Sequence, residues 1–166
     1  MLWTRWIMKP TADLCDEHGE KIKVIPGPFI SYGEAETCSG EVVTLDVEDD
    51  NSLVRSALEE NGQGRILVVA GKGSTRCALV GGNLGVLASE NGWAGIVIDG
   101  CVRDAQELSS SPIGIYARGT CPRRSEKLGR GNRDVSVQIF DVTISPGMHL
   151  WADSDGVVVA DQSVPL

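Results

Sequence analysis

Arg103, Asp104 and Glu107 place one guanidinium and two carboxylates within about one helical turn, directly after an apolar run. Residues three and four apart share a helix face, so all three can address one side. A guanidinium can grip a planar carboxylate with two parallel hydrogen bonds. One or two carboxylates with water suit a hard divalent ion, Mg2+ or Mn2+. Upstream, Gly81-Gly82-Asn83-Leu84 forms a glycine-rich turn that opens a helical stretch. A helix start leaves backbone N–H groups free, and an anion can dock on them. The stretch from Gly81 to Glu107 therefore reads as a site for a small anionic substrate and a hard metal ion. The competing reading is a plain Arg103–Glu107 surface pair, worth ~0.3–0.5 kcal/mol.

The neighbouring pattern positions these groups. Leu84 to Glu90 reads as a helix closed by Asn91-Gly92, and Trp93 to Ile98 as a strand buried on both faces. Charges at the carboxyl end of such a strand lie where open α/β folds hold ligands. Thr11 is a fair cap for a first helix stopped by Gly19, and Glu20 to Ile30 reads as an extended connection. Val42 to Val47 reads as a strand, and Asn51 as the cap of a helix over Leu53 to Glu60. Arg65 to Ala70 reads as a buried strand, then a Gly71-Lys72-Gly73-Ser74 loop, then a helix from Thr75 towards Val80. Strand, helix and strand in that order predict a βαβ crossover. Ile113 to Ala117 and the segments from Asp134 to Ala160 read as further strands.

At 166 residues the chain suits one domain, with 42% hydrophobic residues and no repeat or linker. No apolar run is long enough to span a bilayer. A net charge of −8 repels nucleic acid, so direct RNA binding is disfavoured while a basic protein partner is not. Five dispersed cysteines without a Cys-x-x-Cys pair fit reduced thiols in a cytoplasmic protein. Cys101 reads as core filler before nucleophile. His18 and His149 lack metal-ligand spacing, which argues against a zinc centre. The Gly71–Ser74 loop lacks the spacing of a phosphate loop. Arg118 to Arg133 is the one basic segment: either a solvated loop, or an edge of the site or of a subunit contact that attracts dicarboxylates.

Gly82, twenty residues, then Arg103-Asp104, two more and Glu107 resembles the signature of the class II 4-hydroxy-4-methyl-2-oxoglutarate aldolases of the RraA-like family. That family is named for a regulator of ribonuclease activity. The stretches Thr11–Asp16, Asp50–Arg55, Gly64–Val69 and Trp151–Gly156 are similar to it as well. The resemblance implies an α/β single-domain layered sandwich like the family's swivelling β/β/α fold, over residues 11–166. Residues 1–10 fall outside it and read as an N-terminal extension packing Trp3 or Trp6 on the surface or a neighbour. It implies a homotrimer or hexamer with the site near subunit contacts. It also implies a metal-dependent lyase: retro-aldol cleavage of a keto acid to pyruvate, with oxaloacetate decarboxylase activity beside it. The implied catalytic residues are Arg103, Asp104 and Glu107. Asp104 would hold Mg2+ or Mn2+, and Glu107 would orient the waters around it. Arg103 and the backbone of Gly81, Gly82, Asn83 and Leu84 would bind the keto acid. No lysine is placed for a Schiff base, which argues against the class I route.

The longer aldolases of this family carry a C-terminal extension that reaches a neighbour's site. This chain ends at Val164-Pro165-Leu166, as the short regulator-like members do. Three functions stay open: metal-dependent aldolase or decarboxylase, non-catalytic protein-binding regulator of an RNA-processing ribonuclease, or another keto-acid enzyme.

Overall fold

The structure is a computed structural model and describes residues 8–161. The expected packing of Trp3 or Trp6 and the terminal Val164-Pro165-Leu166 lie outside the described residues. In chain order the elements are α1 (Thr11–His18), a 3-10 turn (Gly19–Lys21), β1 (Lys23–Ile25), β2 (Ile30–Ser31), β3 (Cys38–Asp46), α2 (Ser52–Leu58), β4 (Ile66–Val80), α3 (Gly82–Glu90) and β5 (Gly95–Val102). Then follow α4 (Ala105–Leu108), β6 (Gly114–Thr120), β7 (Asn132–Arg133), β8 (Val137–Ile139), β9 (Val142–Ile144), β10 (His149–Asp153) and β11 (Gly156–Ala160).

One large sheet runs β1-β11-β10-β3-β4-β5-β6-β2, with β7 added to β3 and β8–β9 forming a separate hairpin. Its centre, β3-β4-β5-β6, is parallel, and its flanks are antiparallel. Alternation along the central strands feeds two cores. Leu67, Val69, Ile96 and Ile98 face one way, against Val54 and Leu58 of α2, Leu84 and Ala88 of α3 and Leu108 of α4. Ile66, Val68 and Val97 face the other way, against the β8–β9 hairpin and the inward residues of β10 and β11. With both faces covered, the central strands carry near-continuous apolar runs. This is the expected layered α/β sandwich. A third cluster, Leu14, Ile22, Trp151, Val158 and Ala160, seats α1 on the antiparallel flank.

Four local expectations change. Residues Thr75 to Val80 are not helical but complete β4. Lys72 and Gly73 both take left-handed φ, 59° and 65°, and bulge the strand, after which it resumes pairing with β5 at Ser74, Ala78 and Val80. Ala78 lies between Cys101 and the bridge to Arg124, so pairing on both sides overrides the local helical pattern. The bulge binds the chain's own carboxylates: Lys72 pairs with Asp46 at 3.5 Å, and the Ser74 hydroxyl donates to Asp49 at 2.5 Å. Pro10, not Thr11, caps α1, and its carbonyl accepts from the Leu14 N–H. Asn51 gives α2 no side-chain cap, and the preceding Asp50 accepts from the Ser52 N–H instead. Finally, β5 runs on past Asp99-Gly100 to Val102.

Thr11 instead joins α1 to the end of β10. Its N–H and hydroxyl donate to the two oxygens of Asp153, at 2.8 and 2.7 Å. Burial would push the Asp153 carboxyl up, but the bonds from Thr11 and from the amides of Asp155 and Gly156 hold it below the usual range. A depressed carboxyl contributes stability that is fully present above its unfolded pKa, about 3.9, and is lost as pH falls through the folded value. Thr11→Val should cost about 1 kcal/mol at neutral pH. In denaturant titrations the stability gap between the wild type and Asp153→Asn should hold from neutral pH down to about 5 and narrow below about 4.

Candidate functional site

β4 and β5 end side by side, with Val80 opposite Val102 and the Arg103 N–H donating to the Val80 carbonyl at 2.9 Å. The two chains then part. Gly81-Gly82 turns into α3, and Arg103-Asp104 turns into the short α4. The predicted residues therefore meet at the carboxyl end of neighbouring parallel strands, where such sheets hold ligands. Arg103 precedes α4 rather than sharing a helical turn with Glu107.

Asp104 makes the turn in the left-handed region, φ 58° and ψ 44°, which is costly for a residue with a side chain. In return its carboxylate points away from its own helix and back to α3. The Gly82 N–H donates to Asp104 Oδ2 at 3.0 Å. One of the expected substrate-binding donors is thus engaged by the expected metal ligand. The N–H groups of Asn83 and Leu84 point out of the same helix start and meet no acceptor among the described residues. Asp104 Oδ1 likewise has no hydrogen-bond partner there.

The glycines make this approach possible. A Cβ on Gly81 would sit 2.9 Å from Asp104 Oδ2, and one on Gly82 would strike the Glu107 carboxylate, 3.0 Å from its Cδ. Glu107 thus lies directly over the start of α3. It does not pair with Arg103, which is half-buried and forms no ion pair among the described residues. The surface-pair reading of Arg103 and Glu107 is therefore not what the side chains do.

Arg103, Asp104 and the Gly81–Leu84 turn line a cleft of about 70 Å³, together with residues that the spacing did not single out. Asn51 and Arg55 come from α2, and Arg124, Ser125 and Lys127 from the basic segment. Asn51 and Arg55 lie in the Asp50–Arg55 stretch that resembled the family, which was the available signal. Asn51 donates to the Leu79 carbonyl at 3.2 Å, while its Oδ1 is buried with no partner. Arg124 and Lys127 are exposed and form no ion pair among the described residues.

The basic segment is not a free loop. Its backbone is tied to β5 through the Cys121 N–H on Val102, to β4 through the Ala78 N–H on Arg123, and to the start of α2 through Asn51 and Glu126. A larger cavity of about 580 Å³ lies beyond it. There the charges largely satisfy one another, as Lys72–Asp46, Arg76–Asp49 and Arg130–Glu126.

The donors present fit a hard ion better than a soft one. Among the described residues no three His, Cys, Asp or Glu side chains converge on a metal position. A single exposed carboxylate with one free oxygen, beside an orphaned amide oxygen, suits an ion such as Mg2+ that keeps most of its waters. All five thiols are free, and Cys101 is buried, which pushes its pKa up and removes it as a nucleophile. His149 is half-buried and packs against Trp151, with ring centroids 4.5 Å apart and the planes tilted by 47°. Burial lowers its pKa, as in a packing residue.

The fold and this strand-end site define an α/β protein of the aldolase and ribonuclease-regulator type. The family model described as Aldolase/RraA matches residues 11–159, and the chain belongs to the RraA-like family. A Paraburkholderia phytofirmans protein named "Putative 4-hydroxy-4-methyl-2-oxoglutarate aldolase" is 53% identical, over 93% of this chain and 97% of its own length. A solved Thermus structure described as the RNA-processing inhibitor RraA superposes with a TM-score of 0.92 at 43% identity, covering 96% of each chain. A Geobacillus kaustophilus structure described as an S-adenosylmethionine:2-dimethylmenaquinone methyltransferase gives 0.92 at 48% identity, over 94% of this chain and 97% of that one. Among the described residues no helix is long and apolar enough to cross a membrane.

Gly82→Ala tests the close approach. Alanine favours the helix, and Glu107 is the flexible end of a side chain, so the melting temperature should move by no more than a few degrees, about 1 kcal/mol. The Glu107 carboxylate should leave its place over α3 in a crystal structure of the variant, with Asp104 shifted away from the residue-82 amide.

Proposed function

We propose that the chain is a divalent-metal-dependent class II aldolase that cleaves 4-hydroxy-4-methyl-2-oxoglutarate-type keto acids to pyruvate, with oxaloacetate decarboxylation as a second activity. The observation that carries this reading is the unpaired Arg103 guanidinium beside an Asp104 carboxylate with a free oxygen, both at an open helix start. The names borne by relatives do not decide it, because they differ at similar identity. An adenosyl cofactor suits the cleft poorly: its lining is mostly polar or charged and offers no aromatic side chain to an adenine ring.

Both reactions break a carbon–carbon bond next to an α-keto acid and leave pyruvate enolate. A Mg2+ or Mn2+ ion held by Asp104 would supply Lewis-acid stabilisation of that developing charge. Arg103 grips the substrate carboxylate with two parallel hydrogen bonds and so fixes the keto group beside Asp104. The Asn83 and Leu84 N–H groups, at the positive end of α3, take the remaining negative charge. Glu107, over the start of α3, orders water at the rim. In the retro-aldol direction the C3–C4 electron pair moves into the C2 carbonyl, and the C4 hydroxyl loses its proton and becomes the carbonyl of the departing product. Water in the open cleft takes that proton and returns one to C3. Arg124 and Lys127 face the far end of the substrate, which favours dicarboxylates over pyruvate-sized acids. A neighbouring subunit of a homotrimer or hexamer would close the open side.

The regulator reading keeps one specific support. The RNA-processing inhibitor from Thermus shares this fold, and the basic segment also exposes Leu128 beside its cations. A coupled assay of pyruvate release from 4-hydroxy-4-methyl-2-oxoglutarate and oxaloacetate, with and without Mg2+, separates the two. Wild-type protein should release pyruvate only with the metal. Arg103→Lys keeps the charge but loses the fork, and misplacing the keto acid by ~1 Å should cost on the order of 100-fold in rate. Near-wild-type turnover of Arg103→Lys would remove the clamp from the mechanism.

A further inference from the structure

The basic segment from Cys121 to Gly131 separates the cleft from the larger cavity, and Arg124 and Ser125 line both. Backbone bonds hold it at Cys121, Arg123 and Glu126, and beyond Glu126 the hold passes to a single buried carboxylate. Asp50 is fully buried. Its Oδ1 accepts from the Ser52 N–H at 2.9 Å and the Ser52 hydroxyl at 2.6 Å, which satisfies the start of α2. Its Oδ2 accepts from the Leu128 N–H at 2.6 Å and, more weakly, the Arg130 N–H at 3.5 Å. The Ser52 oxygen in turn accepts from the Gly129 N–H at 3.0 Å. One carboxylate therefore joins the helix that supplies Asn51 and Arg55 to the strap that supplies Arg124 and Lys127. Among the described residues these are the hydrogen bonds that tie Lys127 to Arg130 to the rest of the chain. Arg123, Arg124, Lys127, Leu128 and Arg130 are exposed, and Leu128 buries no side chain in the core.

We infer that Asp50 is a positioning residue: through its bonds to Ser52 and to the Leu128–Arg130 backbone it sets Lys127 at the cleft, beside the Arg124 that β4 holds, and thereby selects keto dicarboxylates over keto monocarboxylates. This rests on the keto-acid reading for the ligand class, while the tether itself rests on geometry alone. Burial would raise the Asp50 carboxyl, but the four surrounding donors outweigh it and keep it ionised. The anionic form that those donors require is thus the one present at neutral pH. No donor among these bonds is a charged side chain, so an amide in place of the carboxylate loses acceptors without unpairing a cation.

Two readouts test this, neither of which needs turnover. In the first, Asp50→Asn and the milder Ser52→Ala, each checked for a cooperative melt, are exposed to trypsin. Cleavage after Arg123, Arg124, Lys127 or Arg130 should speed up by about 10-fold in Asp50→Asn, as loss of hydrogen bonds to a charged group implies, and less in Ser52→Ala. In the second, with Mg2+ present, calorimetry compares 2-oxoglutarate with pyruvate as probes. Wild type should prefer 2-oxoglutarate. Both variants should weaken 2-oxoglutarate, by about 10-fold in Asp50→Asn, while the pyruvate Kd stays within about two-fold, the size of a surface perturbation. Unchanged proteolysis in both variants overturns the tether. A wild type with no preference, or variants in which both probes weaken equally, overturns the selection role. If Asp50→Asn fails to melt cooperatively, Ser52→Ala decides alone by the same outcomes. Pyruvate release by the wild type is scored separately, so loss of the aldolase reading would be seen as such.

Discussion

Every helix start leaves backbone N–H groups that need acceptors, and three helices here meet that need with an aspartate lying outside the helix. Asp153 reaches the first N–H of α1 from the end of β10, at 2.8 Å. Asp50 accepts the first N–H of α2, at 2.9 Å. Asp104 accepts the first N–H of α3 from beyond β5, at 3.0 Å. The device is the same, but the outcomes differ with burial and with the number of donors. Asp153 and Asp50 have both oxygens engaged by nearby hydroxyl and amide donors, so their charge is used up in holding elements together. Asp104 is exposed, with one oxygen engaged and the other open. A carboxylate already oriented by a helix start, with lone pairs to spare, would lose little further freedom in holding the cation we propose.

That arrangement depends on strand geometry. Val80 and Val102 end in register, so the turn after β4 and the turn after β5 face each other at once. Gly81 and Gly82 remove the atoms that would keep Asp104 and Glu107 away. The left-handed Asp104 turns its carboxylate onto the neighbouring helix. Arg103 is left half-buried with no carboxylate partner among the described residues, in a protein with a net charge of −8. A partly desolvated cation without an ion pair is costly unless a ligand completes it. The strap adds two further cations on the same wall. A locally positive cleft in an acidic molecule concentrates small anions at that point.

Much of this was legible in the sequence because the signals were local. Apolar β-branched runs marked the central strands, and the glycine turn and the Arg-Asp-x-x-Glu spacing marked their ends. What was not legible depended on contacts between distant segments. Thr75 to Val80 carried no strand alternation and followed a glycine-rich turn, so only its pairing to Cys101 and Arg124 made it a strand. Asn51 looked like a cap, but its amide bonds Leu79 and the capping falls to Asp50. Asp50 stood out only as the first residue of the Asp50–Arg55 stretch that resembles the family. Its reach to Leu128 spans a separation of 78 residues, and no spacing rule encodes that. The basic segment left two readings open from composition alone, and its backbone bonds to β4, β5 and α2 place it at the edge of the cleft.

The most direct test of the central claim, that Asp104 is a helix-capping carboxylate with a coordination position to spare, is a Mn2+ titration followed by water-proton relaxation. Wild type and Asp104→Ala would be measured side by side, with circular dichroism recorded on both. The predicted result is saturable Mn2+ binding by the wild type, competed by Mg2+ and absent from Asp104→Ala, with both proteins folded. Equal Mn2+ binding by a folded Asp104→Ala would contradict it and move the metal elsewhere in the molecule.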